Sequence, residues 1–170
     1  MSGVFYFNFF MKYHRLNEEQ LNAMHHEFSL FLAAQSIDKK AWDTIKSEQS
    51  DRVEKLFDTF SDMVWEKVLN SCDYIEWNDK QQLFLFSCEP EIIRVFIIKV
   101  SKPNINMETS SGWQWLKDYF FSSEVHLYQS SKAYDGPRNP FIYDYIRKGA
   151  VITEGNRYNE IATYFSNSSK

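Results

Sequence analysis

Apolar side chains recur at three- and four-residue intervals from Leu21 onward: Met24, Phe28, Phe31 and Leu32 follow it. That period places them on one face of a helix. Asn17 with Gln20 has the residues of a capping box, and Leu16 faces Leu21 as a hydrophobic staple, so the helix is expected to begin at Asn17. Ile37, Asp38 and Trp42 repeat the device, with Asp38 as the cap. A third helix is expected from near Ser50, with Asp51 and Glu54 favourably placed in its first turn. Its stripe is Val53, Leu56, Phe57, Phe60, Val64 and Val68; Trp65 and Leu69 lie off it, which predicts cover on two sides.

The period then shortens. Cys72–Trp77 and Gln82–Cys88, separated by Asn78-Asp79-Lys80, read as a hairpin around a polar turn. Glu89-Pro90-Glu91 interrupts, and Ile92–Val100 reads as the next strand. Leu83 to Phe86 and Val95 to Ile98 are apolar on both faces, the pattern of central strands covered by helices. Ser111–Phe121 is expected to be helical, with Trp113, Leu116 and Phe120 on one face and Trp115 with Tyr119 on the other. Val125–Tyr128 is a fourth strand, which a strand–helix–strand step would lay parallel to Ile92–Val100. Beyond a loop at Tyr134–Pro140 come two short helices, one capped at Asn139 and ended by Gly149, one starting at Thr153 and burying Tyr158, Ile161, Ala162 and Phe165. The fold class is α+β: an N-terminal helical subdomain packed on a small, mostly antiparallel sheet of about four strands, with short C-terminal helices. Residues 1–10 read as an extension, 11–165 as one domain and 166–170 as a frayed polar tail.

Three segments carry a resemblance: Met11-Lys12-Tyr13-His14-Arg15-Leu16, Phe60-Ser61-Asp62-Met63-Val64-Trp65 and Gly149 through Gly155. With them the chain resembles an uncharacterised family of small bacterial cytosolic proteins, a domain of unknown function, over roughly residues 11–165. The resemblance implies no activity; it does imply a start at the position of Met11.

Composition narrows the function classes. Lys plus Arg total 19 against 23 Asp plus Glu, a net charge of -4, which disfavours a broad grip on nucleic acid. Two cysteines, Cys72 and Cys88, make neither a disulfide framework nor a zinc site, and reduced buried thiols are expected. The apolar run Val4–Met11 is too short for a span and lacks the cations that precede a signal peptide's core, so the cytoplasm is the expected compartment and no membrane the expected partner. No Gly-rich phosphate loop, nucleophile elbow, HExxH or CxxC is present. No cofactor and no metal is expected. His25 and His26 are neighbours pointing about 100° apart on a helix, a poor pair for one ion.

Two polar candidates remain. Asp58, Asp62 and Glu66 follow one another at four-residue spacing and read first as a solvated acidic face beside the apolar stripe, offset by Lys55 and Lys67. As the alternative, such a carboxylate row could hold a cation or raise one pKa. Arg138 and Asp135 lie in a loop stiffened by Gly136, Pro137 and Pro140, where they could pair with each other or face a ligand. The same residues describe a turn that simply caps the next helix, and that structural role is the favoured reading. Aromatic residues reach 18%, and Trp115, Tyr119, Trp65 and Tyr143 fall off the core stripes, where aromatics serve as interface anchors. The reading is therefore a non-enzymatic protein-interaction or regulatory module, its partner another protein or a second copy. The alternative is a small enzyme or ligand-binding protein using Arg138 and the carboxylate row.

Overall fold

A computed structural model describes residues 12–167. The expected extension at residues 1–10, the start at Met11 and the end of the polar tail lie outside the described residues. The chain divides after Val68 into two compact units.

The first unit is helical: α1 (Glu18–Ala23), α2 (His25–Ala34), α3 (Lys39–Glu48) and most of α4 (Ser50–Asn70). The capping box at Asn17 forms as expected, the Asn17 side chain accepting from the Gln20 amide and the Gln20 side chain accepting from the Asn17 amide. Asp38 caps α3 through the Ala41 amide. The helix expected to run on from Asn17 is broken at Met24, which leaves helical geometry at φ -106° and ψ 26°. A core of Leu16, Phe31, Leu32, Ile37, Ile45, Leu56 and Phe60 fills the unit. Phe28, half-buried, packs against it, with ring centroids 5.1–5.8 Å from Phe31, Trp42, Phe57 and Phe60.

The second unit is built on a sheet of β1 (Tyr74–Asn78), β2 (Gln82–Cys88), β3 (Ile92–Val100), β4 (Val125–Ala133) and β5 (Val151–Thr153), with α5 (Ser110–Asp118), α6 (Arg138–Arg147) and α7 (Asn156–Asn167). Strand order is β4-β3-β2-β1-β5, and every pairing is antiparallel. The parallel placement expected for the fourth strand is thus corrected. After α5 the chain re-enters beside β3 in the opposite direction, and β4 extends five residues past the expected Tyr128. The fifth strand takes Val151–Thr153, so the last helix begins at Asn156 instead of Thr153. Likewise α6 starts at Arg138, with Pro137 in the cap position that Asn139 was expected to hold.

Alternation along the strands explains the double cover. Leu83, Leu85, Phe96, Ile98 and Val100 share one face and pack with Leu116 of α5, Phe120 and Ile161 of α7. Ile75, Phe86, Cys88 and Ile93 are buried on the opposite face, where Phe86 meets Tyr145 of α6 at 5.1 Å between centroids. The tight seat of α5 depends on Gly112, where a Cβ would come within 1.9 Å of the Asn106 carbonyl oxygen.

Candidate functional site

The carboxylate row lies along α4 and is occupied by the segment that precedes α1. Asp62 accepts the backbone amides of Lys12 and Tyr13, both at 2.9 Å. Glu66 accepts the Tyr13 hydroxyl at 2.8 Å and pairs with the Lys12 ammonium. Asp58 takes the Arg15 guanidinium at 2.5 Å, and Glu54 pairs with the same guanidinium. Ser61, fully buried, receives the Leu16 amide. The row is therefore the seat for residues 12–16. No spacing rule signals this, because the partners lie some 40–50 positions earlier in the chain. Trp65 is drawn into the same arrangement: half-buried, it donates its indole N–H to the His14 carbonyl at 3.2 Å. Among the described residues no group of three or more His, Cys, Asp or Glu side chains could hold a metal. His25 and His26 are exposed.

Arg138 makes no ion pair with Asp135 among the described residues. Its guanidinium donates to four carbonyls: Leu69 at 2.8 Å, Cys72 at 2.6 Å, Cys88 at 2.9 Å and Glu89 at 3.2 Å. The planar fork reaches all four because its donors spread in one plane, as an ammonium's do not. It ties the first residue of α6 to the last turn of α4, the approach to β1 and the end of β2. Leu69 O belongs to a helix C-terminus, where a cation is favoured. Tyr134 reinforces the node by donating to the Glu89 carbonyl at 2.8 Å; burial pushes its phenol up to about 12. Asp135 is exposed and makes no ion pair among the described residues.

Cys72 and Cys88 flank this node as free, buried thiols, as their sequence context predicted. Their mutual hydrogen bond, followed by burial, pushes the Cys88 thiol well above the ordinary range.

Of the off-stripe aromatics, Tyr143 is buried and serves the core. Trp115 is half-buried against the core cluster but stacks on Tyr119 at 5.2 Å, and Tyr119 is 54% exposed. Phe121, placed on the core side of no stripe, is 74% exposed, the most open large apolar side chain among the described residues. It packs edge-on against Phe120 and Tyr164. Lys102 lies 5.4 Å from the Trp115 ring and 3.6 Å from Glu124. This aromatic ledge leads directly into β4.

β4 is an end strand of the sheet, and its backbone shows which side is open. The Ser101 amide donates to Glu124 O, and the Val100 amide donates to Gln81 O. By antiparallel alternation the even residues of β4 then bond to β3, while the odd residues turn their N–H and C=O outward. The outward Val125 amide is used by Ser122 O. Those of Leu127, Gln129, Ser131 and Ala133 have no backbone partner among the described residues. Beside the strand lies a polar cavity of about 430 Å³ lined by Arg94, Phe96, Gln129, Ser131 and Tyr158.

A family model described as a family of unknown function matches residues 11–166. The chain belongs to DUF6495. No curated protein and no solved structure matches it. Membership in DUF6495 thus supports the resemblance read from the three segments and assigns no chemistry. No helix among the described residues is long and apolar enough to cross a membrane.

Proposed function

We propose that this DUF6495 chain is a non-enzymatic protein-interaction module of the cytoplasm, binding through the open edge of β4 and the aromatic ledge of Trp115, Tyr119 and Phe121. The observation that carries the reading is the edge itself: nine residues without Pro or Gly, most of them exposed, with the outward amides of Leu127, Gln129, Ser131 and Ala133 lacking a backbone partner among the described residues. Edge strands are usually blunted by a proline, a bulge or a covering loop, and an unblunted one is a template for another strand. The ledge supplies what backbone pairing lacks, apolar area that gains from desolvation. Arg138 and the carboxylate row support the alternative reading less well, since both are already spent on internal partners.

A photo-crosslinking residue at Phe121, compared with one at exposed Lys40, tests the reading in cells that make the protein. Discrete cross-linked adducts are expected from position 121 and not from position 40. Equal yields, or none at either position, would remove the interaction surface.

Binding of a small polar ligand is favoured by one observation, the cavity that brings Arg94, Gln129, Ser131 and Tyr158 together. There the Arg94 guanidinium is engaged by Glu89 at 2.6 Å, so a ligand would compete with an existing ion pair.

A further inference from the structure

We propose that the partner of β4 is the β4 of a second copy of this chain, paired antiparallel about a two-fold axis at Tyr128, so that two five-stranded sheets become one sheet of ten strands. The inference rests on the interaction reading above and names its partner.

The backbone restricts the registers available. Only odd residues point outward, so the two-fold must relate odd positions to odd positions. An axis at Leu127 pairs only residues 125–129. An axis at Ser130 pairs 127–133, as many as an axis at Tyr128, but sets no opposite charges against one another. An axis at Gln129 pairs all nine residues but sets His126 opposite Lys132 of the copy, so that no opposite charges meet across the seam. An axis at Tyr128 sets Glu124 opposite Lys132 of the copy and His126 opposite Ser130. Both ends of the strand then carry an attractive pair. Glu124 is 43% exposed on its side chain and Lys132 is exposed, so neither has to leave a buried partner.

The same register places the two Tyr128 side chains side by side. Tyr128 is 53% exposed and bonds to β3 through its backbone, which makes the cross-copy pair a non-hydrogen-bonded one. Such pairs bring Cα atoms to about 4.5 Å and side chains closest together. Aromatic cross-strand pairs are among the favourable ones. Leu127 and Gln129 exchange bonds with Gln129 and Leu127 of the copy, and the Ser131 amide meets the outward Val125 carbonyl. About six backbone hydrogen bonds result; the Val125 amide, already taken by Ser122, and the Ser131 carbonyl that would face it are left out. An isologous contact of this kind closes on itself and does not propagate into a fibre.

Sedimentation of the full chain over a range of concentrations should show a reversible dimer. Gln129→Pro removes an outward N–H that no β3 bond uses, and proline is tolerated on an edge. This variant should stay folded by circular dichroism and sediment as a monomer. Register is read separately with glutathione disulfide as oxidant: two thiols become one intermolecular disulfide, and the oxidant is reduced to two glutathione thiols. Tyr128→Cys should cross-link to a covalent dimer. Ser130→Cys should not, since its two copies would lie four residues apart, about 13 Å along the strands. The unsubstituted chain, whose Cys72 and Cys88 are buried, is the control. A monomer at every concentration, a dimer that survives Gln129→Pro, or equal cross-linking at positions 128 and 130 would overturn the proposal. If the chain is monomeric yet position 121 still cross-links to a different protein, the interaction reading stands and the self-pairing falls. A monomer that cross-links to nothing removes both.

Discussion

Arg138 shows how far a single guanidinium can be engaged by internal acceptors. A guanidinium in a stiffened loop could face a ligand or serve the turn, and its donors end on the Leu69, Cys72, Cys88 and Glu89 carbonyls. Arg138→Met should leave these acceptors unsatisfied and lower stability by about 3 kcal/mol, read as a lower urea midpoint. Arg138→Lys should recover less than half of that loss, because one ammonium cannot reach four carbonyls. Glu76 offers a pH-dependent counterpart. It is buried on β1, with Arg157 at 3.7 Å and a Thr153 hydroxyl at 3.4 Å. Burial outweighs these partners and raises its carboxyl above the ordinary 4.5. The folded state therefore holds the proton more tightly than the unfolded state, so ionisation works against folding as pH rises above 4.5. Glu76→Gln should raise the melting temperature at pH near neutrality, and the gain should vanish as the pH is brought down to 4.5. A gain that persists in acid would mean that packing, not charge, limits the site.

At the scale of elements, the most legible parts were those specified by neighbours in sequence. Asn17 and Asp38 cap where their side chains predicted, the hairpin of β1 and β2 turns at the expected polar residues, and the α4 stripe leads to Phe60, which is fully buried. Phe60→Ala should cost about 3–5 kcal/mol, measured by chemical denaturation, since the Phe28 and Phe31 rings packed on it at 5.1 and 5.4 Å cannot collapse into the space. Gly112→Ala tests α5 in the same way: the Cβ would meet backbone that cannot swing aside, and a clear fall in thermal midpoint is expected. Less legible was anything fixed by distant partners. Val151–Thr153 becomes a strand only because β1 offers it an edge, and three residues carry too little pattern to announce themselves. The direction of β4 depends on how α5 seats, not on its own alternation. The seat of residues 12–16 on the carboxylate row was hidden for the same reason. So was Phe121: its exposure follows from the turn after α5, where helical periodicity no longer assigns faces.

For the molecule as a whole, the family match covers residues 11–166. A chain beginning at Met11 should melt within a few degrees of the full chain; a large drop would make Phe5–Phe10 part of the stabilised structure. The strand order has a consequence in time. β1, β2 and β3 follow one another as a meander, so their pairing closes only short loops. β5 joins β1 with Glu76 opposite Val151, and that closure waits for 75 further residues of chain. During synthesis the outer side of β1 is thus bare long after the meander can form, and this is the interval in which a chaperone would find it. In the finished protein the same late, three-residue contact should open first. Amide protons donated between β1 and β5 should then exchange with deuterium well ahead of those between β2 and β3.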